Sequence, residues 1–275
     1  MSGILALPTA PIAPSRINPR ISIFYGPPKI GKTTEVAKLD HPDDPSHRAM
    51  ILDCERGTEL ITSLKIPVSS INGQTSLKPD GSIDYTSVDA VYESILDIGM
   101  KEFTRTGQKP RPPYKFLIVD TIDKLEDYCE VTATEKYKLT TIGSTFKGKS
   151  VLELPQGAGY YHMRLEVVYQ IDRLATICEH LILISHIKDK VINKGGIDVS
   201  VNDISLTGRL GAIVCAKADI IGYMYREPGK PGLQVSFETF ENNVMGARIP
   251  RLAGRKFPMD WNEVFLPADK LVTSS

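Results

Sequence analysis

Residues 21–34, ISIFYGPPKIGKTT, constrain the fold more than any other stretch of the chain. Ile21 to Tyr25 read as a short apolar strand, and the residues from Lys32 onward carry a helical pattern. Between them, Gly26-Pro27-Pro28-Lys29-Ile30-Gly31-Lys32-Thr33 satisfies G-x-x-x-x-G-K-[ST]. A strand, a tight Gly/Pro turn and a helix in that order aim the backbone N–H groups of residues 28–33 and the positive end of the helix at one point. The β- and γ-phosphates of a nucleotide fit there. Gly26 and Gly31 stand where a Cβ would block either the turn or the phosphate. Lys32 would add a mobile positive charge, the Thr33 hydroxyl would ligate Mg²⁺, and Thr34 closes the cradle on the helix side. A loop that only caps a helix is the competing reading, and the complete eight-residue pattern between strand and helix weighs against it.

Three later segments repeat one grammar, a β-branched apolar run that ends in polar residues: RAMILDCERG (48–57), YKFLIVDTIDKL (114–125) and EHLILISHIKD (179–189). Continuous apolar runs such as Phe116 to Val119 and Leu181 to Ile184 suit strands buried on both faces of a parallel sheet. Helices expected at 32–39, about 86–103, 121–138 and 160–180 would cover those faces. In the last, Leu165, Val168, Ile171, Leu174 and Ile177 or Cys178 form an apolar stripe. The alternation predicts a doubly wound α/β architecture. Beyond residue 218 the pattern changes to strand, a Pro/Gly hairpin near 228–232, and strand, an antiparallel sheet edge. A loop and a short helix follow. Residues 1–20 hold four prolines and no periodicity, so an extended arm is expected there, then a core over 21–265 and a tail over 266–275.

A P-loop needs a carboxylate near its metal, and Phe116-Leu117-Ile118-Val119-Asp120 offers four apolar residues and then an acid, the second Walker pattern. We expect Asp120 to come from a neighbouring strand and hold a Mg²⁺-bound water. It could also N-cap the helix beginning near Thr121. Ile51-Leu52-Asp53-Cys54-Glu55 ends another strand, and Asp53 and Glu55, two apart, would share one side while that strand lasts. Either could orient a water toward the γ-phosphate.

Composition bounds the partners. Lys+Arg 33 against Asp+Glu 33 give a formal net charge of 0, so nucleic acid would have to bind through local patches or through assembly. Cys54, Cys129, Cys178 and Cys215 lie far apart without metal-ligand spacing, which disfavours a zinc site or a disulfide framework and suits reduced thiols. No apolar run approaches the ~18 residues of a membrane span, and no basic n-region precedes a long apolar stretch at the N-terminus. A cytoplasmic protein without a membrane partner is expected.

These motifs resemble the RecA-like ATPases, in which a strand after the P-loop ends in an acidic pair spaced as in ILDCE. The resemblance implies that the second acid, Glu55, 23 residues after Lys32, is the catalytic base, with Asp53 in reserve. It also implies that His186, at the end of LILISHIKDK, senses the γ-phosphate; alone, a histidine there would read as an ordinary surface or core residue. The segments YGPPKIGKTT, ILDCERG, FLIVDTIDKL, GAGYYHMRLEVVYQIDRLATICEHLILISHIK, KADIIGYMYRE and VMGARIPRLAGR, in that order over about 20–265, are similar to phage-encoded AAA-type nucleotide-binding proteins of the single-strand annealing group. The chain departs from RecA in the long stretch 66–112 and in having no further DNA-binding domain after the core.

The resemblance implies a mostly parallel RecA-like sheet, ATP and Mg²⁺ as ligands, a homo-oligomer, single-stranded DNA as partner, and a single-strand binding protein as a further one. If the chain is phage-encoded, its place is the host cytoplasm. DNA would meet two loops, about 138–160 with Lys138, Lys147, Lys149, Phe146 and Tyr160, and about 187–207. Arg248, Arg251, Arg255 and Lys256 are candidates for a positive finger into a neighbouring site. A small-molecule or nucleotide kinase and a non-hydrolysing ATP-binding module are the alternatives. The absence of arginine in 187–207 speaks against a kinase lid.

Overall fold

The computed structural model describes residues 16–108, 110–194, 197–239 and 244–266. Strand β1 (Ile21–Gly26) leads into helix α1 (Lys32–Ala37), followed by β2 (Ala49–Asp53) and β3 (Lys65–Ser70). A small hairpin, β4 (Ser76–Leu77) and β5 (Ile83–Ser87), precedes α2 (Val88–Thr106). Then come β6 (Phe116–Asp120), α3 (Ile122–Lys138), α4 (Ala158–Thr176), β7 (His180–Lys194), β8 (Ile197–Ile204) and α5 (Leu210–Lys217). The chain closes with β9 (Ile220–Tyr225), β10 (Gln234–Ser236), β11 (Gly246–Ala247), β12 (Lys256–Pro258) and α6 (Trp261–Val264).

The sheet runs β12-β10-β9-β1-β7-β6-β2-β3-β5-β4. The run from β9 to β5 is parallel, while β10, β11 and β12 add antiparallel pairing at one edge and β4 at the other. The fold is therefore the expected α/β one with an antiparallel C-terminal edge. One detail differs: β7 lies between β1 and β6, so the strand carrying Asp120 is the second from the P-loop strand rather than its neighbour.

Side chains alternate along the central strands and split into two cores, as strands covered on both faces require. Ile21, Ile23, Tyr25, Leu117, Val119, Leu181 and Leu183 pack toward α2, α3 and α4. Phe24, Phe116, Ile118, Ile182 and Ile184 pack on the opposite face with Val36 of α1 and with Leu252, Val264 and Phe265. The C-terminal segment thus helps to cover the second face.

Two expectations need correction. The buried stripe of α4 is Met163, Val167, Ile171 and Leu174, while Leu165 is 51% exposed; the core-facing stripe is rotated from the expected one. The stretch 187–207, expected as a loop, is largely an antiparallel arm in which β7 runs on past the sheet and pairs with β8 from Ile187↔Ile204 to Lys194↔Ile197. The N-terminal arm is described only from Arg16 and the tail only at Leu266, which is tied to Asn18: its N–H donates to Asn18 Oδ1 at 2.9 Å and its carbonyl accepts from Asn18 Nδ2 at 2.8 Å.

Candidate nucleotide site

The register of the sheet gathers the candidate residues. Gly26 stands beside His186 across β1 and β7, and Asp53 stands beside Asp120 across β2 and β6, all at carboxyl ends of parallel strands. Crevices beyond such strand ends are where open α/β sheets hold ligands.

Gly26 abuts β9 so closely that a Cβ there would lie 2.2 Å from the Met224 carbonyl oxygen, which only glycine avoids. The chain turns through Pro27, Pro28, Lys29 and Ile30 and enters α1 with Lys29 at φ 62° and Gly31 at φ 108°, both left-handed. Lys32 folds back into the loop, where Nζ donates to the carbonyls of Gly26 at 2.8 Å and Pro27 at 2.9 Å and the residue is only 6% exposed. Burial lowers its pKa, and the negative charges of Asp120, Asp123 and Glu55 oppose that shift.

Thr33 Oγ1 donates to Asp120 Oδ2 at 2.6 Å. Asp120 is 5% exposed, and burial raises its pKa to about 6 against the opposing pull of the Thr33 hydroxyl. A hydroxyl and a buried carboxylate held together at a phosphate-binding turn are the hard oxygen donors that Mg²⁺ takes, and the residues present fit that ion. Asp120 does not cap α3. Thr121 does, with Oγ1 accepting from the Lys124 N–H at 3.4 Å.

Glu55 lies just past β2. Its Oε1 accepts from Thr121 Oγ1 at 2.6 Å, and both its oxygens sit 3.2 Å from His186 Nε2. Glu55 and His186 are about one third exposed, at 37% and 34% of their side chains. Asp53 does not share this site. It is buried, its Oδ1 accepts from the Gly57 N–H at 3.1 Å, and its Oδ2 accepts from the Thr58 N–H at 3.1 Å and from the Thr58 hydroxyl. A carboxylate so engaged holds a turn and is removed from the role of reserve base.

The sequence reading missed several residues that organise the site. Thr121 binds Glu55; Asp123 accepts from Ser185 Oγ and from the His186 N–H, each at 2.8 Å, and burial raises its pKa. Thr-x-Asp directly after a strand is an N-cap and first-turn acid signal, and it marks both. Arg226 at the end of β9 donates from Nε to the Ile30 carbonyl at 3.2 Å. It also lines a cleft of about 310 Å³ with Gly31, Thr34, Glu35, Lys38 and Met259. No short motif announces Arg226.

Other candidates lie elsewhere. Arg251 donates to the carbonyls of Glu263 and Val264 and to Asn18 Oδ1, so it staples the C-terminal segment in place. Arg248 donates to the Ala216 carbonyl, Arg255 reaches Glu263, and Lys256 reaches Glu238. Phe146 packs edge-on against Tyr137 beneath Lys138, whereas Lys147 and Lys149 are exposed. Burial pushes the Cys54 thiol well up, as suits a small core residue.

Strand order, the P-loop and the Thr33–Asp120 pair together define a P-loop nucleotide-binding α/β fold. The sequence profile of AAA_24, described as an AAA domain, matches residues 18–248, and the chain belongs to that family. Among solved structures the chain is similar to the RadB recombinase at 13% identity and TM-score 0.36, covering 90% of each chain. It is likewise similar to a KaiC-like protein, PH0186, from Pyrococcus horikoshii OT3, at 13% identity and TM-score 0.40, covering 89% of this chain and 87% of that one. No curated protein matches the chain. No helix among the described residues is long and apolar enough to cross a membrane.

Proposed function

We propose that the protein is a Mg²⁺-dependent ATPase that acts on single-stranded DNA in phage recombination or annealing. The observation that carries the chemistry is the convergence of Lys32, the Thr33–Asp120 pair and the Glu55–His186 pair at the carboxyl ends of four adjacent strands. Residues 26–34 would cradle the phosphates, with Lys32 leaving the Gly26 and Pro27 carbonyls for the β- and γ-oxygens. Mg²⁺ at Thr33 and Asp120 would neutralise charge on those oxygens. Glu55 would take a proton from a water as that water attacks the γ-phosphorus in line and the bond to the ADP oxygen breaks. His186, hydrogen-bonded to Glu55, would sense the γ-phosphate beside that base. The cleft under Arg226 adjoins the cradle along one face of α1 and suits the nucleobase.

The DNA reading rests on the resemblance to phage annealing proteins, on exposed Lys147 and Lys149, and on the β7–β8 arm that starts at His186. An ATP-dependent shift at His186 would be felt at the root of that arm. Assembly into a homo-oligomer, with a single-strand binding protein as a further partner, belongs to the same reading.

The test is ATP hydrolysis by the purified protein with and without long single-stranded DNA at two salt concentrations. Stimulation that fades as salt rises supports the reading, because phosphate contacts release counterions. Hydrolysis indifferent to DNA at both salts removes the DNA partner and leaves an ATPase of another purpose.

A further inference from the structure

Besides the Thr33–Asp120 pair, a second set of ligand-type atoms converges at the site. One atom each from Glu55, Asp123 and His186 lies within 4.8 Å of the others, and among the described residues no other three His, Cys, Asp or Glu side chains do so. We propose that these three form a binding site for a borderline divalent cation of the zinc class, distinct from the Mg²⁺ position, and that a cation there holds the ATPase inactive. The inference rests on the reading of Glu55 as base.

The atoms need little movement. A four-coordinate zinc with bonds of about 2.0–2.2 Å sets its ligand atoms about 3.4 Å apart, so shifts of about 1 Å or less close the set. One imidazole and two carboxylates leave a position for water, and the mixed N/O donors favour zinc, cobalt or manganese over magnesium. Asp123 is oriented in advance: Ser185 Oγ and the His186 N–H hold its two oxygens, each of which keeps a further lone pair. Thr121 does the same for Glu55 Oε1. Charge points the same way, since Asp120, Asp123 and Glu55 all act on the single ammonium of Lys32. One Mg²⁺ at Asp120 still leaves two carboxylates facing a single lysine and a histidine.

Binding would replace the Glu55–His186 hydrogen bond. His186 would carry its proton on Nδ1 and offer the Nε2 lone pair, and Glu55, tied to the cation, could no longer accept a proton from water.

The experiment is a zinc titration of the nucleotide-free protein in excess Mg²⁺, followed by calorimetry and by metal analysis after equilibrium dialysis. One equivalent should bind, with affinity at least tenfold weaker in His186→Ala and in Glu55→Gln and unchanged within twofold in Asp120→Asn. Thermal melts establish that each variant is folded, and either of the first two suffices if the other is not. One equivalent of zinc should also slow hydrolysis of Mg·ATP, and chelation should restore it. Failure to retain zinc, or retention indifferent to both variants, overturns the site. Loss only in Asp120→Asn places the ion at the Mg²⁺ position and overturns it too. If chelated protein does not hydrolyse ATP yet binds zinc as described, the inhibitory role and the ATPase reading fail while the cation site stands.

Discussion

The Thr121 hydroxyl serves two partners: it accepts from the Lys124 N–H to start α3 and donates to Glu55. Thr121→Val keeps the shape and removes the donor, so kcat should fall about tenfold, the worth of one charge-assisted hydrogen bond, with little change in KM. Thr121→Ser should restore most of it, and steady-state kinetics separates the two parameters. Asp53 belongs to stability instead. Asp53→Ala strips the acceptor from two N–H groups and a hydroxyl and should cost about 3 kcal/mol in denaturant unfolding, with ATP hydrolysis per folded molecule retained. The difference between these acids was only half visible in the sequence. Spacing of two puts side chains on one side only while a strand lasts, and β2 ends at Asp53. From there the chain turns, leaving Asp53 to bind the turn and Glu55 to face the site.

At the scale of elements, α4 checks the packing. Leu174 is fully buried, so Leu174→Ala should cost about 2–5 kcal/mol, whereas Leu165→Ala on the exposed side should stay within about 0.5 kcal/mol. Urea unfolding of both variants distinguishes the observed face from the one expected from periodicity. That periodicity was ambiguous because Leu165 and Val167 lie on nearly opposite faces with Val168 between them, and only the sheet beneath selects among the three. The strand-and-helix order was legible because each central strand is a continuous apolar run. The β7–β8 arm was legible in principle, since two β-branched runs flank Gly195-Gly196, a hairpin signal, yet the resemblance to RecA-like proteins assigned that stretch to a DNA-contacting loop. The position of β7 between β1 and β6 was not legible, because strand order follows from long-range pairing that no local pattern records.

At the scale of the molecule, polar side chains fasten both ends of the described chain, from Arg16 to Leu266, onto the core. His180 is buried, with Nδ1 2.7 Å from the Pro19 carbonyl, and burial lowers its pKa to about 4. The unfolded chain takes up this proton near pH 6.5 and the folded chain only near 4, so the stability contributed above pH 6.5 is lost as pH falls through that window. The loss reaches about 3 kcal/mol. The advantage in melting temperature of the wild type over His180→Gln should shrink steadily from pH 6.5 to 4.

The only tryptophan, Trp261, donates from Nε1 to the Glu35 carbonyl of α1 at 2.8 Å, joining the C-terminal cover to the helix that would bear the phosphates. Its fluorescence should change on addition of Mg·ATP and should not in Lys32→Ala.

The central claim is that this strand-end crevice binds ATP and that Glu55 activates the attacking water. Single-turnover hydrolysis of Mg·ATP by wild type and Glu55→Gln tests it most directly. The account predicts ATP affinity equal within a few-fold, with phosphate release slower in the variant by about 100-fold or more. Equal rates in the two proteins, or no ATP binding by the wild type, would contradict it.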